Sequence, residues 1–109
     1  MELSVREQLR VLPDCFPRLF LRHHRYLMSE APVPFKAMQT NVGEPVLRFL
    51  EVNGEAYVLF IDQSPRANWA HPCCYVLMRP DEKFPLVIQA YWPPSKEMME
   101  TYRMSPIAL

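Results

Sequence analysis

Apolar and polar positions alternate most clearly mid-chain, where Val46-Leu47-Arg48-Phe49-Leu50-Glu51-Val52 and the run Glu55 to Asp62 flank Asn53-Gly54. Asn-Gly tolerates the positive φ angles of a type I′ turn, whose twist matches paired strands, so a hairpin is predicted here. A two-residue loop sets the register, placing Val52 opposite Glu55 and Phe49 opposite Val58. One face then presents Leu47, Phe49, Ala56, Val58 and Phe60, and the other Val46, Leu50, Val52, Tyr57, Leu59 and Ile61. Both faces are largely apolar. Such a sheet is covered by helices on one side and by further chain or a partner on the other.

A second hairpin is predicted from Cys73 to Arg79 and from Pro85 to Trp92, turning through Pro80-Asp81-Glu82-Lys83. Upstream, Ser4-Val5-Arg6-Glu7 matches a capping box and predicts a helix that ends before Pro13. Asp14 is placed to cap a second helix reaching about Met28, with Pro17 in its first turn. On that helix Phe16, Leu19, Phe20, His23 and Leu27 would form one apolar stripe, and Arg18, Arg22 and Arg25 would share another face. Ala31-Pro32-Val33-Pro34 predicts an extended connector. Ser95 is placed to cap a last helix with Met98, Met99 and Tyr102 on one side. The result is an α+β domain spanning 1–109. It has N-terminal helices over 1–30, a four-stranded antiparallel β-meander of two hairpins over 45–92, and a short C-terminal helix over 95–104.

Composition narrows the function classes. With 50% hydrophobic and 22% charged residues, the chain has the apolar content of a folded domain and not of a disordered tail. Twelve Lys and Arg balance twelve Asp and Glu, which argues against a nucleic-acid partner for the chain as a whole. Only Gly43 and Gly54 are glycines, so no Walker-A or dinucleotide fingerprint exists, and neither a nucleotide nor another cofactor is expected. Cys15, Cys73 and Cys74 are an odd set with two members adjacent, which fits a reducing cytoplasm better than a disulfide scaffold. Charges at Glu2, Arg6, Glu7 and Arg10 interrupt any signal-like apolar run. Uncharged stretches such as Ala67–Met78 fall short of the ~20 residues of a membrane span, so no membrane partner is expected.

Candidate chemistry concentrates between the hairpins. The 62–72 connector is longer than the ~2–5 residues of an ordinary hairpin turn, and it holds Arg66, Asn68, Trp69 and His71. Loops on rigid sheets often carry binding residues, with Trp69 suited to anchor a partner and Arg66 to contact its charge. The plainer alternative has Trp69 packed under the sheet. Zinc through His71, a cysteine and His23 or His24 is a second idea, although no C-x-x-C or H-x-x-x-H spacing supports it. A nucleophile built from Cys73 or Cys74 with His71 and Asp62 is a third. Arg18, Arg22 and Arg25 offer an anion-binding face of the kind that gives salt-sensitive binding. Met98, Met99 and Met104 with Tyr102 suit either a partner groove or the core.

Taken together these features predict a small non-catalytic interaction module, an adaptor, inhibitor or complex subunit. It would use an apolar sheet face and the 62–72 loop against another protein or a second copy of itself, as a homodimer. No catalytic residue and no metal ligand is assigned. A small Cys/His enzyme or metal protein centred on His71 is the alternative, and an anion binder on the Arg18/Arg22/Arg25 face is the third reading.

Overall fold

A computed structural model describes residues 2–47, 53–67 and 70–108. Its organising element is strand β3 (Glu55–Asp62), in which every residue from Ala56 to Ile61 is buried. A strand apolar on both faces must be covered on both, and its backbone groups must pair along both edges. One edge runs antiparallel to β4 (Cys73–Met78), with Val58 opposite Leu77 and Phe60 opposite Tyr75. The other edge is shared by β1 (Arg25–Met28), with Leu27 opposite Phe60, and by β2 (Val33–Pro34), with Val33 opposite Ala56. Ser29 closes the gap between them. Its N–H donates to the Val58 carbonyl and its hydroxyl accepts from the Val58 N–H, both at 3.0 Å.

Outside these lie β5 (Leu86–Ala90) on β4 and β6 (Ser105–Pro106) on β1, giving the order β5-β4-β3-β1-β6 with β2 branching from β3. The described residues therefore form an α+β fold with an N-terminal helix, a six-stranded antiparallel sheet and a short C-terminal helix. The predicted second hairpin is present as β4 and β5, turning where the Glu82 N–H donates to the Arg79 carbonyl. None of the described helices is long and apolar enough to cross a membrane.

The N-terminal third departs from the two predicted helices. Helix α1 (Leu3–Cys15) runs through Pro13, whose missing N–H forfeits a single bond near the helix end. The Phe16 N–H then closes the last turn on the Leu12 carbonyl at 2.8 Å. Asp14 is consequently inside α1 and caps nothing. In place of a second helix stand a 3-10 turn (Pro17–Leu19) and β1. The physical reason is the open edge of β3. Pairing and burying Tyr26, Leu27 and Met28 there outweighs helix propensities that differ by only a few tenths of a kcal/mol per residue, roughly. Arg18, Arg22 and Arg25 therefore share no helical face. The capping box is not formed either: Glu2 is the N-cap, Ser4 Oγ donates to the Pro80 carbonyl at 2.9 Å, and Glu7 pairs with Arg10.

The strand predicted over Val46–Val52 falls largely on residues 48–52, which lie outside the described residues; Val46 and Leu47 are in no strand. Among the described residues there are thus six strands: β3, β4 and β5 fall on predicted ones, and β1, β2 and β6 come from segments expected to be helix, connector or tail.

Both faces of the central strands are covered by the chain itself. On one, Val5 and Leu12 of α1 pack with Tyr57, Leu59, Ile61, Cys74, Val76 and Met78. On the other, Val33, Met38, Val46 and Met98 cover Ala56, Val58, Phe60, Cys73, Tyr75 and Leu77. Met98 sits in α2 (Lys96–Thr101), where the Ser95 hydroxyl accepts from its N–H at 3.1 Å, as the predicted cap requires. The methionine is core and not partner surface, at 1% exposure.

Two substitutions test this packing. Leu59→Ala should cost about 2–5 kcal/mol, read as a lower melting midpoint in a denaturation experiment. Gly54 has φ +119° and an added Cβ would meet the Phe35 ring at 2.9 Å. Gly54→Ala should therefore cost about 1–3 kcal/mol in the same assay, although it removes no atom.

Candidate functional site

Strand register brings the candidate segments to one end of the sheet. Arg25 lies opposite Asp62, so the chain entering β1 and the chain leaving β3 emerge side by side. Asp62 is in turn opposite Cys73, and Cys73 opposite Ala90, so His71, Pro72 and the 91–92 segment reach the same end. A cleft of about 630 Å³ opens there. One wall is Arg22, His23, His24 and Arg25, and the other runs from Gln63 to Ala67. Residues 22–25 and 63–67 are far apart in sequence, and the β1–β3 pairing brings them together.

The 62–67 wall is held by the Asp62 carboxylate. Its Oδ1 accepts from His71 Nε2 at 2.8 Å and from the Ser64 N–H at 3.0 Å, the latter an Asx-type turn. A carboxylate has no proton to give at neutral pH, so His71 carries its hydrogen on Nε2. The His71 N–H donates to the Tyr91 carbonyl, the Ala67 N–H to the Ser64 carbonyl, and the Cys74 thiol contacts Gln63 Oε1 at 3.5 Å. On the opposite wall His24 is 8% exposed, and its Nδ1 donates to the Leu19 carbonyl at 2.8 Å. That bond fixes the imidazole where it borders the cleft, beside His23 in an edge contact at 4.5 Å.

Charge is unevenly distributed. Arg10, Arg79, Lys96 and Arg103 each hold a carboxylate within 4 Å. Among the described residues none does so for Arg22, Arg25 or Arg66, and no acid lines the cleft. Of the residues singled out from sequence, Arg22, Arg25 and Arg66 therefore meet. Arg18 is exposed in the 3-10 turn and does not border the cleft. His71 braces the loop, while Asn68 and Trp69 lie outside the described residues. His24, weighed from sequence as a zinc ligand, borders the cleft instead, while Gln63 and Ser64 carry no expectation from sequence. The Asp-x-Ser spacing of 62–64, which favours an Asx turn, was the available signal for the last.

The cysteine readings fare differently. Cys73 and Cys74 point to opposite faces of β4 and are both buried. Burial, with the nearby Asp62 and Cys74 charges adding to it, pushes the Cys73 thiol up to about 12; burial also raises Cys74. A thiol so protonated is a poor nucleophile at neutral pH, and the Cys73 thiol is directed at the Trp92 carbonyl at 3.5 Å. No three His, Cys, Asp or Glu side chains among the described residues are grouped to hold a metal ion, so the zinc arrangement is not assembled.

No protein-family model, curated protein or solved structure matches this chain.

Thiol accessibility provides a direct check. Iodoacetamide at neutral pH should label Cys15 alone in the native protein, with Cys73 and Cys74 following only on unfolding, as counted by intact mass. The folded Cys73 pKa lies above the ~8.5 of a free thiol, so its contribution to stability is complete below that value. It is lost as pH rises toward 12, and the melting midpoint should fall across that alkaline window.

Proposed function

We propose that this protein is a non-catalytic interaction module whose contact surface is the sheet end formed by the 62–72 connector and residues 22–25. The observation that carries this reading is the bracing of the connector by Asp62, His71 and Ser64 against a second wall set by β1–β3 register. A loop held this way presents Arg66 at little ordering cost on binding, which favours affinity. The protonated, buried thiols support a role without covalent chemistry. Three free cysteines, two of them buried, are consistent with a reducing cytoplasm as the working compartment. The partner is another protein or a second copy of this chain. Self-association through the apolar β3–β4 faces is less favoured than through this end, since the chain covers those faces itself.

The test compares wild type with Arg66→Ala and Trp69→Ala, singly and together, by native mass spectrometry of the protein isolated with its partners. Loss of the partner or dimer mass, with stability held within about 0.5 kcal/mol, is the expected result. An unchanged complex counts against the reading. So does a stability loss of roughly 3–5 kcal/mol on Trp69→Ala, because that would make the indole part of the core.

A further inference from the structure

Resting on the interaction reading, we propose that the cleft between residues 22–25 and 63–67 receives a phosphate monoester carried on a peptide segment of the partner. Arg22, Arg25 and Arg66, from two distant segments, border it, and among the described residues none of them holds a carboxylate within 4 Å, whereas Arg10, Arg79 and Arg103 each do. Guanidinium donors form planar forks that match phosphate oxygens. A phosphoserine carries about −1.5 to −2 charges and three acceptor oxygens, which suits several arginines converging on one point. A carboxylate offers half that charge and engages one of them well.

The nearest acid is engaged in bracing its own loop. Asp62 faces Arg25 across the strand register, yet its Oδ1 is occupied by His71 Nε2 and the Ser64 N–H. Among the described residues Arg25 holds no carboxylate within 4 Å, which leaves its guanidinium open to an external anion. Gln63 and Ser64 add neutral hydrogen-bonding groups on the same wall. At about 630 Å³ the cleft exceeds what a lone phosphate fills and lies within the ~300–1,000 Å³ that hold drug-sized ligands, leaving room for flanking peptide. A nucleic-acid backbone fits less well. It calls for positive charge repeated along a track, whereas Arg18 stands outside the cleft and the chain is neutral overall.

The experiment measures binding of a short phosphoserine peptide by fluorescence anisotropy, alongside the same peptide unphosphorylated, with Glu in place of phosphoserine, and inorganic phosphate and an oligothymidylate as competitors. Wild type should bind the phosphopeptide at least ~10-fold more tightly than either control peptide. Arg22→Gln and Arg66→Gln should each raise Kd about tenfold, with the melting midpoint unchanged because both side chains are exposed. Arg18→Gln should leave Kd where it is. The proposal is overturned by equal affinity for the Glu peptide, by inorganic phosphate competing as well as the phosphopeptide itself, by tighter binding of the oligothymidylate, or by no phosphopeptide binding. Any of those results combined with partner loss in the Arg66/Trp69 variants removes the phosphate and keeps the interaction module. Partner retention in those variants removes the module itself.

Discussion

Burial of β3 on both faces and both edges is the constraint from which the rest of the architecture follows. Six consecutive buried residues, Ala56 to Ile61, leave no solvent side, so α1 must cover one face and the 33–46 segment with α2 the other. The same strand has two rows of backbone donors and acceptors that cannot be left dry and unpaired. Segment 25–28 answers the second demand in preference to forming a helix, and Ser29 carries the pairing across to β2. Local propensity yields because its differences are small beside the cost of an unsatisfied buried edge.

The proposed contact surface is a by-product of that pairing. Once Arg25 is registered on Asp62, Arg22 and Arg66 are delivered to one place by chain continuity, without side-chain attraction between the walls. Like charges brought together repel, but water screens exposed groups and the penalty stays modest. Such a cluster holds electrostatic free energy that an arriving anion can release, whereas arginines already paired on the surface would have to break a partnership first. Placement by backbone, with no carboxylate within 4 Å of these arginines among the described residues, is what distinguishes this corner from the Arg79–Glu82 and Arg10–Glu7 surfaces.

What could be read from sequence divides along the range of the interactions. The β4–β5 hairpin, the Ser95 cap and the two-faced apolar character of 55–62 are local or period-two signals, and each is present in the structure. The helix predicted over 14–28 failed because a 3.6-residue stripe in Phe16, Leu19, Phe20, His23 and Leu27 is also satisfied by a turn followed by an alternating strand. Only the unpaired edge of β3, a demand about thirty residues away in the chain, decides between them. The candidate arginines were legible as a basic, acid-free run. Their arrangement was not, since Arg18, Arg22 and Arg25 align only on a helix, and the meeting of Arg22 and Arg25 with Arg66 requires knowing that β1 exists.

Asp62 ties these levels together. It is the last residue of β3, so its position is set by the core, and its side chain sets the path of the loop that follows. Were its carboxylate free, the opposing Arg25 would be its natural partner, and the cleft would lose both a cation and the brace on its second wall. By taking His71 and the Ser64 N–H instead, Asp62 orders the loop through half-buried hydrogen bonds while leaving the guanidinium without an internal partner. Loop order is thus a consequence of a side chain whose place the core itself sets. A substitution that keeps the carboxylate but removes the imidazole leaves Oδ1 only the Ser64 N–H and so loosens the loop.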